Sequence, residues 1–87
     1  MKKLVKVEEV DGEGLISLMG EQVALFCDTY IYGGVLVGVN EHFVKLDDPK
    51  IVYETGPLKD KVWKDAQSLP SPHYVMVQKI ESYGPGK

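Results

Sequence analysis

The chain contains no arginine: its 10 basic residues are all lysines, set against 13 acids for a formal charge of −3. Guanidinium forks are the usual means of gripping phosphates and guanine edges in bidentate fashion, so their absence lowers the expectation of nucleic-acid recognition. A net negative chain also sets up no field to draw in a polyanion. A ring of identical subunits remains a way round this, since it concentrates a few lysines or tyrosines at one pore. Cysteine is nearly absent as well. Cys27 stands alone and permits no intramolecular disulfide. It lies in the apolar run Val23–Cys27 with no second thiol or basic neighbour, and reads as a small buried hydrophobe rather than a reactive group. A chain free of disulfide chemistry suits a reducing compartment, so a cytoplasmic location is expected. No apolar run approaches the ~20 residues needed to span a bilayer, so no membrane partner is expected. The opening MKKLVKVEEV follows its lysines with acids and does not read as a signal peptide.

Catalytic apparatus is equally sparse. His42 and His73 lie far apart, without the spacing that joins metal ligands on one element. Gly33, Gly34 and Gly38 fall inside an apolar run rather than between a strand and a helix, so they do not form a phosphate-binding loop. The carboxylates are dispersed, and Asp47-Asp48 reads as part of a turn. No catalytic, cofactor-binding or metal-ligating residues are expected, and the chain does not read as an enzyme.

What is present is a dense pattern of strands. With 87 residues the chain is one domain, with a core small enough to profit from good closure or oligomerisation. Leu15, Ile16, Leu18 and Met19 suggest a short helix over Glu13–Met19, with Gly20 suited to its C-terminal end. Strand one is expected at Gln22–Asp28 and strand two at Tyr30–Asn40, rich in β-branched and aromatic residues. Glycines inside that long strand mark a bend or bulge. Strand three follows at His42–Leu46 and is expected to end at Asp47-Asp48-Pro49, where proline cannot continue a ladder. Strand four is placed at Lys50–Glu54 and strand five at His73–Ile80. Between them, residues 56–73 form an insertion. Leu58, Val62 and Ala66 permit a helical turn there, and an extended excursion fits as well. Trp63 is expected to anchor this insertion on the sheet or on a neighbouring subunit. Residues 1–12 fit a short strand or a frayed arm, and residues 82–87 a mobile tail. The fold class is therefore all-β: a small, five-stranded, strongly bent antiparallel barrel of the SH3 type with a short N-terminal helix.

The middle of this pattern, Gly34-Val35-Leu36-Val37-Gly38-Val39-Asn40, resembles the first motif of the Sm-like family, Gly-x-hydrophobic-x-Gly-x-Asp, with Asn40 in the acidic slot. Gly20-Glu21-Gln22-Val23 looks like the family's helix-to-strand junction, and Phe43–Asp48 like its third strand and turn. Tyr53-Glu54-Thr55-Gly56 is similar to a segment found after the fourth strand in small bacterial and phage Sm-like proteins. The likeness covers about thirty residues well. It implies a cyclic homo-oligomer in which strand four of one chain pairs with strand five of the next, and Ile51, Tyr53, Val75 and Val77 are the interface candidates on that reading. It also implies a pore faced by Asn40, Glu41, His42 and Phe43, with Gln78 and Lys79 close by. Those six are the candidates for binding RNA or single-stranded nucleic acid, His42 and Phe43 by stacking. The motif departs from the RNA-binding members at two places. Val44 stands near the base-contacting asparagine, and Val77-Gln78-Lys79 replaces an Ile-Arg-Gly-like segment. Two functions thus stay open: a non-enzymatic ring that binds RNA at its pore, or a protein-interaction or structural scaffold without nucleic acid. Tyr30 and Tyr32, two apart, share a strand face and offer a packing pair or an aromatic surface.

Overall fold

A computed structural model describes residues 12–87; the arm or strand expected before Gly12 lies outside the described residues. The fold is mainly β. Three long strands come first: β1 (Gln22–Cys27), β2 (Ile31–Val39) and β3 (Phe43–Glu54). They are followed by β4 (Asp65–Ser68), β5 (His73–Met76), a 3₁₀ turn at Val77–Lys79, and β6 (Ile80–Pro85). All pairings are antiparallel, and the six strands form one sheet in the order β4-β3-β2-β1-β6, with β5 lying on β3 beside β4.

The sheet curls because β2 and β3 are each interrupted. Their register slips between Gly33 and Val35 and again between Leu36 and Gly38. At the first slip Asp48 takes φ 48°, and Asp48-Pro49 forms the extra length of a bulge opposite Gly34, which bends the strand and increases its twist. A Cβ on Gly34 would lie 2.9 Å from the Asp47 carbonyl oxygen and 3.2 Å from Pro49 Cα, so only glycine lets the two backbones approach this closely. At the second slip the surplus residue is Val37, which is turned outward. Inside the curl, Val23 and Leu25 of β1, Leu36 of β2, Val44 and Leu46 of β3 and Val75 of β5 form the core. Each such side chain contributes roughly 1.5–3 kcal/mol through burial.

Several expectations are corrected here, and the conformation of the insertion, left open by the sequence, is decided. The segment expected as an N-terminal helix is a single 3₁₀ turn, Leu15–Leu18, held between Gly14 (φ 89°) and Gly20 (φ 85°). So few residues between two left-handed glycines cannot nucleate an α-helix. The 3₁₀ geometry instead eclipses Leu15 and Leu18, which pack on the core while Ile16 and Met19 face solvent. Gly20 and Glu21 tie the turn to β2 by exchanging backbone bonds with Leu36 at 2.7 and 3.0 Å.

Asp47-Asp48-Pro49 is not a turn. It is the bulge, and the expected third and fourth strands are one strand, β3. Proline is tolerated because its carbonyl still accepts a bond from the Leu69 N–H at 2.9 Å. The insertion is extended rather than helical at its C-terminal part: β4 pairs Ser68, Gln67, Ala66 and Asp65 with Lys50, Ile51, Val52 and Glu54, while Leu58 and Val62 are exposed. Finally, the expected fifth strand breaks at the 3₁₀ turn, and the segment read as a tail from Ser82 belongs to β6, paired along β1 from Val23↔Pro85 to Cys27↔Ile80. The described residues thus form six strands rather than five, and among them β5 and β6 are linked through the turn without a ladder between them, so the sheet they form is not closed.

Gly34→Ala is expected to cost about 1–3 kcal/mol through forced separation of β2 and β3, and Gly34→Val to abolish soluble folding. Gly38→Ala, whose nearest contact would be an ordinary 3.4 Å to Lys45 Cβ, should cost less than about 1 kcal/mol. Urea unfolding of the three variants checks this; equal losses at positions 34 and 38 would remove Gly34 from its role at the bend.

Candidate functional site

The reversal between β1 and β2 sets the tyrosines at one end of the sheet. Cys27 N–H bonds to the Tyr30 carbonyl at 3.1 Å, and strand alternation then places Tyr30 and Tyr32 on the core side. The register Tyr32↔Ile51 and Ile31↔Val52 carries Tyr53 of β3 beside Tyr30. The register Leu46↔His73 brings β5 across from the other direction. Four rings from three strands therefore run in contact. Tyr53 and Tyr30 meet edge to face at 6.1 Å, Tyr30 and Tyr32 at 6.5 Å, and Tyr32 stacks on His73 at 5.7 Å and 25°. Such pairs are worth about 0.5–1.5 kcal/mol each beyond area burial. Tyr30 and Tyr53 remain 42% and 49% exposed, so the row is a shelf rather than a sealed core. A second pair, Phe43 against Tyr74 at 5.0 Å, lies on β3 and β5.

Behind the shelf is a cavity of about 240 Å³ whose lining includes Cys27, Asp28, Tyr30, Tyr32, His73 and Lys79. That is below the ~300–1,000 Å³ of typical small-molecule sites, and suits a single ring or side chain. Two of its ionisable groups are shifted toward their neutral forms by their surroundings. Burial pushes the Cys27 thiol above its ordinary 9.0, and the charges of Asp28 and Glu81 push the same way. Burial likewise raises the Tyr32 hydroxyl above 10.0, with Cys27, Tyr30 and Tyr53 adding to it. Asp28 and Lys79 bring one carboxylate and one ammonium to the cavity wall.

The six residues selected for a nucleic-acid pore divide. Asn40, in the motif's acidic slot, spends its side-chain oxygen on the hairpin, accepting from the His42 and Phe43 N–H groups at 2.7 and 2.9 Å. This is an Asx turn, which holds the hairpin in place of an Asn-Gly pair. Glu41 and His42 face each other at 3.3 Å, both largely exposed. The Val77 N–H donates to the His42 carbonyl at 3.0 Å, which sets the 3₁₀ turn bearing Gln78 and Lys79 against the hairpin. Of the six, only Lys79 lines the aromatic cavity, and Phe43 is engaged with Tyr74.

The four interface candidates are also separated. Ile51 lies on β3 between β2 and β4, with both backbone edges paired, to Tyr32 and to Gln67, whereas Tyr53 falls at the irregularity between Val52 and Glu54 and has no ladder partner among the described residues. Val75 is buried in the core at 4% exposure, and Val77 packs against it. Sequence reasoning missed His73 and Tyr53 as members of the shelf. Their membership depends on register across the β3 bulge, which no local pattern encodes. Among the described residues no group of three His, Cys, Asp or Glu is placed to hold a metal ion, and no helix is long and apolar enough to cross a membrane.

The Cys27 environment has a measurable sign. A thiol with its folded value raised favours the protonated form, so its contribution to stability is complete below about pH 9 and is lost as the pH rises through the raised value. Iodoacetamide at pH 8.5 should therefore alkylate native Cys27 more slowly than the urea-unfolded chain, and Asp28→Asn should quicken the native reaction. A native rate equal to the unfolded one would remove the thiol from the cavity wall. In comparison with known proteins, the chain matches no family model and no curated sequence.

Proposed function

We propose that this protein is a non-enzymatic binding module on a small Sm-like barrel, and that it takes an extended protein segment on its aromatic shelf. The observation that carries this reading is the continuous row Tyr53–Tyr30–Tyr32–His73, half open to solvent and backed by a cavity of one-ring size. Rows of this kind bind extended, proline-bearing chains by packing apolar groups between rings, with little call on charge. The electrostatics favour the same partner. One lysine and one aspartate on the wall give no net attraction for phosphate, and the chain as a whole is negative.

Strand order supports the barrel architecture. Read as β1, β2, β3, β5 and β6, with the 3₁₀ turn between the last two, the order β6-β1-β2-β3-β5 is that of an Sm-like or SH3-type barrel, and β4 is the insertion's addition to it. On this reading a ring of copies joins the β5 edge of one subunit to the β6 edge of the next, both unpaired among the described residues, rather than using the strand at Ile51 and Tyr53. The second reading, single-stranded RNA at a pore, rests on the His42–Val77 bond, which gathers His42, Gln78 and Lys79. It is weakened by the loss of Asn40 to the turn.

The test is a display selection of extended peptides on the purified protein, counter-selected against a Tyr30→Ala, Tyr53→Ala double variant, beside titration with oligo(U) and oligo(A) at low salt. Peptides that bind the wild type and lose at least about tenfold, or 1.4 kcal/mol, on the double variant support the shelf. Oligonucleotide affinity that falls steeply with salt would transfer the function to nucleic acid. No enrichment and flat titrations would end both readings.

A further inference from the structure

On the sheet face opposite Tyr32, a row of small residues crosses the strands: Gly84 of β6 pairs with Ala24 of β1, which pairs with Gly33 of β2. Trp63 lies on this row. A Cβ on Gly33 would stand 3.2 Å from its Nε1, and that N–H is buried without an acceptor among the described residues. Over the indole stands the ammonium of Lys87, 4.7 Å from the ring centroid. The same ammonium donates to the carbonyls of Thr55, Pro57 and Val62 at 2.8, 2.9 and 3.3 Å. A lysine head has three donors and no acceptor, and all three are satisfied by backbone oxygens while the ring face accommodates the charge.

The cradle is built by the loop itself. Lys64 N–H closes it on the Thr55 carbonyl at 3.3 Å, and Asp60 N–H bonds the Pro57 carbonyl at 3.0 Å. Gly56, at φ 66°, makes the turn that points the Thr55 and Pro57 carbonyls inward. Beside the cradle is a cleft of about 530 Å³ whose wall includes Phe26, Leu58 and Trp63, room for the carbon stem of a second occupant. Lys87 reaches the cradle because Gly86 lies flat on β1: its N–H bonds the Gln22 carbonyl at 2.9 Å, and a Cβ there would come within 2.5 Å of the Val23 oxygen.

We propose that the 55–63 loop is a binding site for a primary alkylammonium group, filled here in cis by Lys87 and open to an exogenous lysine-like amine when Lys87 withdraws. The site selects for primary amines. A guanidinium's planar fork cannot direct three donors at three converging carbonyls, and a quaternary ammonium has no N–H to offer them. This is a site distinct from the aromatic shelf and does not depend on it.

Trp63, the chain's single tryptophan, reports on the site directly. In Lys87→Ala, emission should shift to the red, and n-butylammonium should reverse the shift saturably, with n-butanol, tetramethylammonium and guanidinium inert. The wild type should need at least about tenfold more amine, since Lys87 competes at millimolar effective concentration. Unchanged emission in the variant, or an equal response to n-butanol, overturns the proposal. Should the variant fail to fold by circular dichroism, the wild type decides through its ¹⁵N-lysine spectrum. One ammonium protected from solvent exchange at every protein concentration supports cis occupancy. Protection that appears only on concentrating the protein assigns the amine to a second copy and overturns the cis arrangement, and no protected ammonium overturns the site.

Discussion

The close approach of β2 and β3 at Gly34 is the constraint on which the remaining structure depends. A flat sheet of these strands would bury one face only, and eight or so apolar side chains spread over it would leave the core open to water. The bulge at Asp48-Pro49, admitted by a residue without a side chain, turns β3 through the bend. The two halves of β3 then face different neighbours. Its first half takes β5 and the second takes β4. The aromatic shelf and the Trp63 segment both sit downstream of that division, because β5 brings His73 to the tyrosines while β4 anchors the segment that carries Trp63.

The legible part of this arrangement is the part written in local rules. Alternation in Val23–Cys27 and the glycines at 34 and 38 identify the strands and the bend from sequence. The rest was hidden for three different physical reasons. Asp47-Asp48-Pro49 has the composition of a turn, and the difference between a turn and a bulge lies in whether a partner strand continues past it. β4 and β6, with sequences Asp-Ala-Gln-Ser and Ile-Glu-Ser-Tyr-Gly-Pro, are edge strands, which need polar residues and tolerate proline, and so carry no apolar alternation to detect. The segment at Leu15–Leu18 has a helical stripe, but Gly14 and Gly20 leave it too few residues for an α-helix. The site residues follow the same division: Tyr30 and Tyr32 are adjacent by strand period alone, whereas Tyr53 and His73 join them only through register.

Strand alternation also explains why the aromatic shelf and the seat of Trp63 lie on opposite faces of the sheet. Neighbouring residues of β2, Tyr32 and Gly33, point to opposite faces. Tyr32 lies on the core side, at the end where the core gives way to the shelf. Gly33 lies on the other side, where the row with Ala24 and Gly84 leaves a shallow seat for an indole. A larger residue at Gly33, where a Cβ would already stand 3.2 Å from the indole nitrogen, would press on Trp63 and on the 55–63 loop. The small residues of the outer face and the large ones of the inner face are thus two consequences of one strand.

The absence of arginine acquires a positive meaning in this setting. Read from composition, it argues against phosphate recognition. In the structure the cation that matters is Lys87, and its cradle asks for a compact head whose three donors diverge toward three carbonyls. A planar fork would satisfy one or two of those oxygens and leave the remainder dehydrated, at a cost of about 1–3 kcal/mol for each unpaired group. Lysine is therefore required there by geometry and not only by charge.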